Sequence, residues 1–173
     1  MKKTGNLVLF YPAGDTFDLV GFVYADFVGY QVDKKSTSGM AHFLGSSLIS
    51  WGTKKQNLVA LSTVEAEYVA AAACCSQLLW IKQHLEDFGV IIKAIPLMCN
   101  NNSAVTMGKN LVQHKRTKHI DVRQCFLRDN VEKRNVFLTY CPTKEQIADI
   151  FTKALSKDQF ESNRLKLGMI TSN

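Results

Sequence analysis

Glu67 is the residue whose type and spacing best suit chemistry. It lies in Leu61–Gly89, where Val64, Glu67, Ala71, Cys74, Leu78, Ile81, Leu85 and Phe88 recur at steps of three and four. That spacing marks one face of a helix. Every residue of the stripe except the glutamate is apolar. A half-buried carboxylate without a partner is costly or shifts its pKa. Glu67 therefore needs a cation, a metal or a hydrogen-bond network; the alternative is a stripe-edge side chain that reaches water. Ser62 with Glu65 fits a capping box at the helix start, and Gly89 fits the residue just past its end.

The elements that must position Glu67 follow from the flanking patterns. Leu7–Tyr11 is a short β-like run. Phe17–Tyr30 is apolar on both faces, as in a central strand, with Asp26 the exception near its end. Lys34 and Lys35 fall in a turn. Ser36–Leu44 and Leu48–Thr53, joined by Gly45-Ser46-Ser47, complete an antiparallel meander. After the helix come a strand over Ala94–Cys99 and a helix to about Lys109 with Asn102 as N-cap. A polar, basic segment follows, then a helix over Ile120–Arg134 and a strand over Val136–Cys141. Thr143 with Gln146 forms a second capping box, opening a helix through Leu155. Strand–helix alternation implies parallel strands. The fold class is α/β: a mixed five-stranded sheet, three antiparallel strands then two parallel, flanked by helices. Ligands of such sheets gather at the carboxyl ends of parallel strands, where Asp26 and Asn100 fall. The whole chain, residues 1–173, reads as one domain with its core over about 17–168, and the residues from about Thr171 are expected to fray.

Composition narrows the class. The chain has 173 residues and a formal net charge of +6, with a pI near 9.1. That balance leans towards an anionic partner such as nucleic acid. Five cysteines, an odd number with no CxxC pair, imply reduced thiols and an intracellular location, cytoplasmic or nuclear. His114 and His119 are five apart, which does not put both on one helix face, so no zinc site is expected. Pro12 and Gly14 break the N-terminal apolar run too early for a signal peptide, and no segment approaches a membrane span.

The blocks DKKSTSG (33–39), ISWGTKKQ (49–56), ALSTVEAEYVAA (60–71), HKRTKHIDVR (114–123) and ADIFTKAL (148–155) stand in one order along the chain. Together they resemble the ribonuclease H domain of plant Ty1/copia-type retrotransposon polyproteins, over about Phe17–Gly168. The resemblance implies the ribonuclease H fold and cleavage of RNA in an RNA/DNA hybrid by four acids and two Mg²⁺ ions (or Mn²⁺). Paired metals about 3.5–4 Å apart activate a water and stabilise the leaving oxygen. Carried over by motif, two acids fall on Glu67 and Asp149, and the other two positions hold Tyr24 and Asn100. Asp26 shares a strand face with Tyr24, roughly 7 Å along, and could supply a displaced carboxylate; the alternative is a surface acid. Asn100 offers a neutral carbonyl oxygen. Asp149 lies off the apolar side of its expected helix, so only the resemblance lifts it above a solvated aspartate.

The resulting candidates are Asp26, Glu67, Asp149 and Asn100 as catalytic residues, with Asp26, Glu67 and Asp149 as metal ligands. Lys34, Lys35, Lys54, Lys55, Lys115, Arg116 and Lys118 form the expected duplex-binding set, reading backbone shape rather than sequence. His119 and Asp121 have an expected packing role. The functional expectation is a metal-dependent endoribonuclease acting on an RNA-containing duplex, hybrid or double-stranded RNA, without a membrane partner. The alternative is an inactive duplex-binding or protein-interaction module derived from a retrotransposon. The chain starts at Met1 without a polymerase or integrase segment, so it is expected to be an excised domain or a stand-alone descendant; in the second case, action against foreign duplex RNA is the conjectured role.

Overall fold

The computed structural model describes residues 6–13, 16–30, 32–109 and 118–172, with side chains left out for 107–109 and 118–124. The chain runs β1 (Leu7–Leu9), β2 (Leu19–Tyr30), β3 (Lys35–Leu44), β4 (Ser47–Lys55), α1 (Thr63–Asp87), β5 (Ile95–Cys99), α2 (Asn102–Lys109), α3 (Lys118–Glu132) and β6 (Val136–Tyr140). A 3₁₀ turn (Ile147–Phe151), α4 (Lys157–Lys166) and β7 (Met169–Thr171) complete it. The main sheet has the order β4-β3-β2-β5-β6. Its β2–β3 and β3–β4 pairs are antiparallel, and β2–β5 and β5–β6 are parallel. The five-stranded mixed sheet expected from the sequence is therefore present.

Alternation along β2 sends residues to two cores. Leu19, Val23 and Ala25 face α1, packing with Cys74, Leu78 and Ile81 in the larger core. Val20 and Phe22 face the other way, with Ala41, Phe43, Ile147 and Leu167 in a smaller core. The expected stripe of α1 is the buried one at Glu67, Ala71, Cys74, Leu78 and Ile81, though Phe88 is exposed. Burial extends well beyond that stripe, to Ala66, Tyr68, Val69, Ala70, Ala72 and Cys75. Ser62 caps the helix by accepting from Glu65 N at 3.2 Å, and Gly89 ends it at φ +81°. All five cysteines are free thiols. No helix among the described residues is long and apolar enough to cross a membrane.

Four local expectations change. The helix expected from Thr143 to Leu155 is only the 3₁₀ turn, capped by Gln146 through Ala148 N at 3.2 Å. Asn101, not Asn102, caps α2, accepting from Ala104 N at 3.1 Å. The first strand stops at Leu9 and pairs with β7 in a separate two-stranded sheet. Thr171 is consequently paired with Leu7 rather than frayed, and Ser172 N donates to Asn6 O at 2.7 Å. The partners in these cases are distant in sequence, so local patterning does not show them. The helix α4, capped by Ser156, was likewise not read from the sequence.

Candidate active site

The site forms where the β2–β5 ladder ends. That ladder stops at Val23–Cys99. Beyond it the Ala25 N–H is taken by Glu67, whose Oε1 accepts at 2.9 Å. The Cys99 thiol donates to Glu67 Oε2 at 3.6 Å. Glu67 is 3% exposed. Burial pushes its carboxyl up to about 7, against the pull of the Ala25 N–H and the Cys99 thiol. The hydrogen-bond network required of a carboxylate on an apolar stripe is thus supplied by a strand end.

Asp149 approaches over the opposite face of the sheet. Its 3₁₀ turn is fastened at both ends. Gln146, fully buried, donates to Val23 O at 3.0 Å and to Met98 O at 3.4 Å, bridging β2 and β5. Thr53 Oγ1, on β4, donates to Phe151 O at 2.8 Å. Between them the turn lies on Gly39, where a Cβ would come within 2.7 Å of Ala148 O and 2.6 Å of Thr152 Cγ2. Glycine there is a matter of space. Asp149 is therefore 2% exposed and not the solvated aspartate its position on an ideal helix implies. Burial raises its pKa and Lys153 opposes the rise. Lys153 Nζ lies 2.9 Å from Asp149 Oδ2 and donates to the Tyr24 hydroxyl at 3.0 Å. Burial lowers the Lys153 pKa, but its bonds to Tyr24 and Asp149 prevail and the net shift is upward.

An open cleft of about 560 Å³ is lined by Tyr24, Asp26, Glu67, Asn100 and Tyr140, among others. Tyr24, Asp26 and Asn100 therefore gather as the sequence implied. Asp26 lines the cleft with Glu67, and its charge adds to the upward shift of Asp149. The Asp26 carboxylate lies against Gly29, close enough that a Cβ there would be 2.5 Å from Oδ2. Past Asp26 the β2–β3 register is irregular, and Val28 there adopts φ +56°.

Two-metal chemistry needs several converging carboxylates. Among the described residues no group of three His, Cys, Asp or Glu side chains could hold a metal ion. Both Glu67 oxygens are engaged, and Lys153 occupies Asp149 Oδ2. Asp149 Oδ1 is buried and lacks a hydrogen-bond partner, and Asp26 and Asn100 add oxygens at the cleft, but no three side chains of the kind converge among the described residues as a metal pair requires. The residues present do not fit a Mg²⁺ or Mn²⁺ pair.

The basic set is partly visible. Thr37 is in register with both Asp26 and Lys55 across the three antiparallel strands, which places Lys55 about 10 Å from the cleft wall at two strand spacings. Lys54 stands beside it in β4, Lys35 opens β3 and Lys34 sits in the preceding turn at φ +56°. Lys55 is paired with Asp33 and lies 3.9 Å over the Tyr30 ring. Lys115 and Arg116 lie outside the described residues, as do the side chains of Lys118, His119 and Asp121.

No protein-family model matches the chain. It is 36% identical over 166 residues to a retrovirus-related Pol polyprotein from transposon TNT 1-94 of Nicotiana tabacum, covering 96% of this chain and 12% of that protein. It is 35% identical over 170 residues to the corresponding polyprotein of transposon RE1 from Arabidopsis thaliana, covering 98% and 12%. The chain is a homologue of Ty1/copia-type retrotransposon Pol polyproteins. It spans about an eighth of the length of these relatives. Among solved structures, LC11-RNase H1 from compost superposes with a TM-score of 0.58 at 10% identity, covering 85% of this chain and 98% of that one. The same enzyme in complex with RNA/DNA hybrid superposes at 0.57 and 12% identity, covering 78% and 94%. The fold of this Pol homologue is that of ribonuclease H.

Sequence reasoning missed three residues of the ribonuclease H-like centre. Lys153 was visible as a cation four residues after Asp149, a spacing that pairs charges on helical turns. Gln146 was marked only as a capping residue and Gly39 only as part of a sequence block; their roles at the centre were hidden because the partners lie on other elements.

Proposed function

We propose that this chain is a ribonuclease H-like module that binds an RNA-containing duplex without metal-dependent cleavage. The observation that carries this reading is the occupant of the acid centre: an ammonium, that of Lys153, held between Asp149 and Tyr24 of the cleft wall. The fold and its open cleft support duplex binding, as does the solved relative seen with RNA/DNA hybrid. The lysines Lys34, Lys35, Lys54 and Lys55 cluster at the same sheet end and suit phosphate contacts, which position a duplex without reading its sequence. Loss of charge at Tyr24 and Asn100 argues against two-metal hydrolysis. The proposed location is the cytoplasm or nucleus, where free thiols persist.

The test uses purified protein with labelled RNA/DNA hybrid, double-stranded RNA and single-stranded RNA, in Mg²⁺, Mn²⁺ and EDTA. Duplex binding that weakens with salt and leaves the strands intact is expected. Metal-dependent cutting that disappears in Glu67→Gln would replace this reading with that of an endoribonuclease. The double-stranded RNA arm bears on a role against foreign duplex RNA, which is dropped if the protein ignores that duplex.

A further inference from the structure

The acid centre contains a cation of its own. Lys153 Nζ is 2.9 Å from Asp149 Oδ2, 3.0 Å from the Tyr24 hydroxyl and 4.1 Å from the centroid of the Tyr24 ring. An aspartate at position 24 would add a second negative charge. Tyrosine instead supplies a neutral acceptor and an aromatic face, and both favour a bound ammonium. An ammonium has three donors. Two are used by Asp149 and Tyr24, and the third has no protein partner among the described residues. The Lys153 side chain remains 31% exposed, so this donor can reach a ligand. A charged donor anchored in this way matches an anionic phosphate oxygen. Metal and ammonium also compete directly, since Asp149 Oδ2 serves Lys153 in full contact.

We propose that Tyr24, Asp149 and Lys153 form a metal-free clamp for one backbone phosphate of the bound duplex. The clamp deepens the duplex-binding reading and rests on it. Lys153 supplies the positive charge, Asp149 holds the ammonium in place and Tyr24 aims it. No bond is made or broken.

Two measurements test this. The first is duplex affinity by fluorescence anisotropy, across a salt series, in EDTA and in Mg²⁺. Parent affinity should be the same with and without the metal. Lys153→Met should weaken binding about tenfold and reduce the salt slope by about one, the signature of one lost phosphate contact. Lys153→Arg should retain most of the affinity. Because Lys153→Met strands a buried carboxylate, Asp149→Asn combined with Lys153→Met serves as the fold-safe variant, with the same loss expected. The second is the melting temperature during Mn²⁺ titration. The parent should not shift, whereas Tyr24→Asp with Asn100→Asp should rise, since that pair of changes rebuilds a carboxylate cradle.

Duplex binding by the parent that is indifferent to both Lys153→Met variants would overturn the clamp alone. So would Mg²⁺-dependent affinity together with a Mn²⁺ shift in the parent. Failure of both duplexes to bind the folded parent would instead reject the duplex reading, and the phosphate contact with it.

Discussion

Glu67 and Cys74 lie two turns apart on one stripe of α1, and each meets the sheet with a polar atom. At Cys74 the encounter is closed. Its thiol sits 3.3 Å from His42 Nε2, and His42 Nδ1 is 3.3 Å from Ser50 O. His42 is fully buried, and burial lowers its pKa to about 4, so the pair is neutral. The helix comes so close there that a Cβ on Gly21 would be 2.7 Å from Leu78 Cδ1. At Glu67 the sheet has run out of β5, a backbone N–H is left over, and a cleft opens. The same helix face therefore gives inert packing over the middle of a ladder and a chemical site past its end. The unfinished hydrogen bonding of the strand makes the difference.

The comparison can be broken first at its charged side. Lys153→Met leaves Asp149 buried and unpaired, and should cost about 3 kcal/mol at neutral pH, the lower end for a broken buried pair because Lys153 is partly exposed. Urea unfolding should show the loss shrinking in acid, as Asp149 takes up a proton.

Glu67 should come next. Its folded pKa of about 7 exceeds the ordinary 4.5, so the folded state binds the proton more tightly than the unfolded one. Stability from this group is complete below pH 4.5 and is lost as pH rises towards 7. Glu67→Gln should therefore match the parent near pH 4 and exceed it by about 2–3 kcal/mol at pH 8. His42 acts in the opposite sense, since its lowered pKa costs stability as pH falls from 6.5 towards 4. The two slopes oppose each other in the parent, and Glu67→Gln should expose the histidine slope. A variant no more stable than the parent at pH 8 would mean that Glu67 is not desolvated as described.

The two close-approach glycines sharpen the contrast further. Gly39→Ala meets a backbone carbonyl, Ala148 O, and should cost about 1–3 kcal/mol. Gly21→Ala meets the tip of the Leu78 side chain, which can turn aside, so its cost should be smaller. Denaturant midpoints that reverse this order would show that the 3₁₀ turn is not pressed on Gly39. The smallest effect belongs to Tyr24→Phe, which removes one hydrogen bond to Lys153 but keeps the ring, at about 1 kcal/mol.

Much of the architecture was legible in the residues. The long helix, its Ser62 cap, the meander and the two later strands all follow from periodicity and turn chemistry within short windows. Glu67 also stood out locally, because a carboxylate on an apolar stripe violates the pattern around it. Asn100 drew notice by its place at a strand end, but Tyr24 became notable only through resemblance to a family with an acid there. The burial of Asp149 was not legible. On an ideal helix it points away from the apolar side, whereas here Gln146 and Thr53 draw the segment into a 3₁₀ turn across the sheet.

The sequence by itself thus determined the order and kind of the main elements and the presence of one anomalous carboxylate. These depend on interactions between residues a few positions apart. Tertiary structure alone decided what that carboxylate and its neighbours became. The Tyr24–Lys153 contact spans 129 positions and the Gln146–Val23 contact 123. The placing of Lys153 beside Asp149 and Tyr24 depends on the tight seating of one turn on Gly39. Contacts of that range form only when the sheet closes, so no local pattern encodes them.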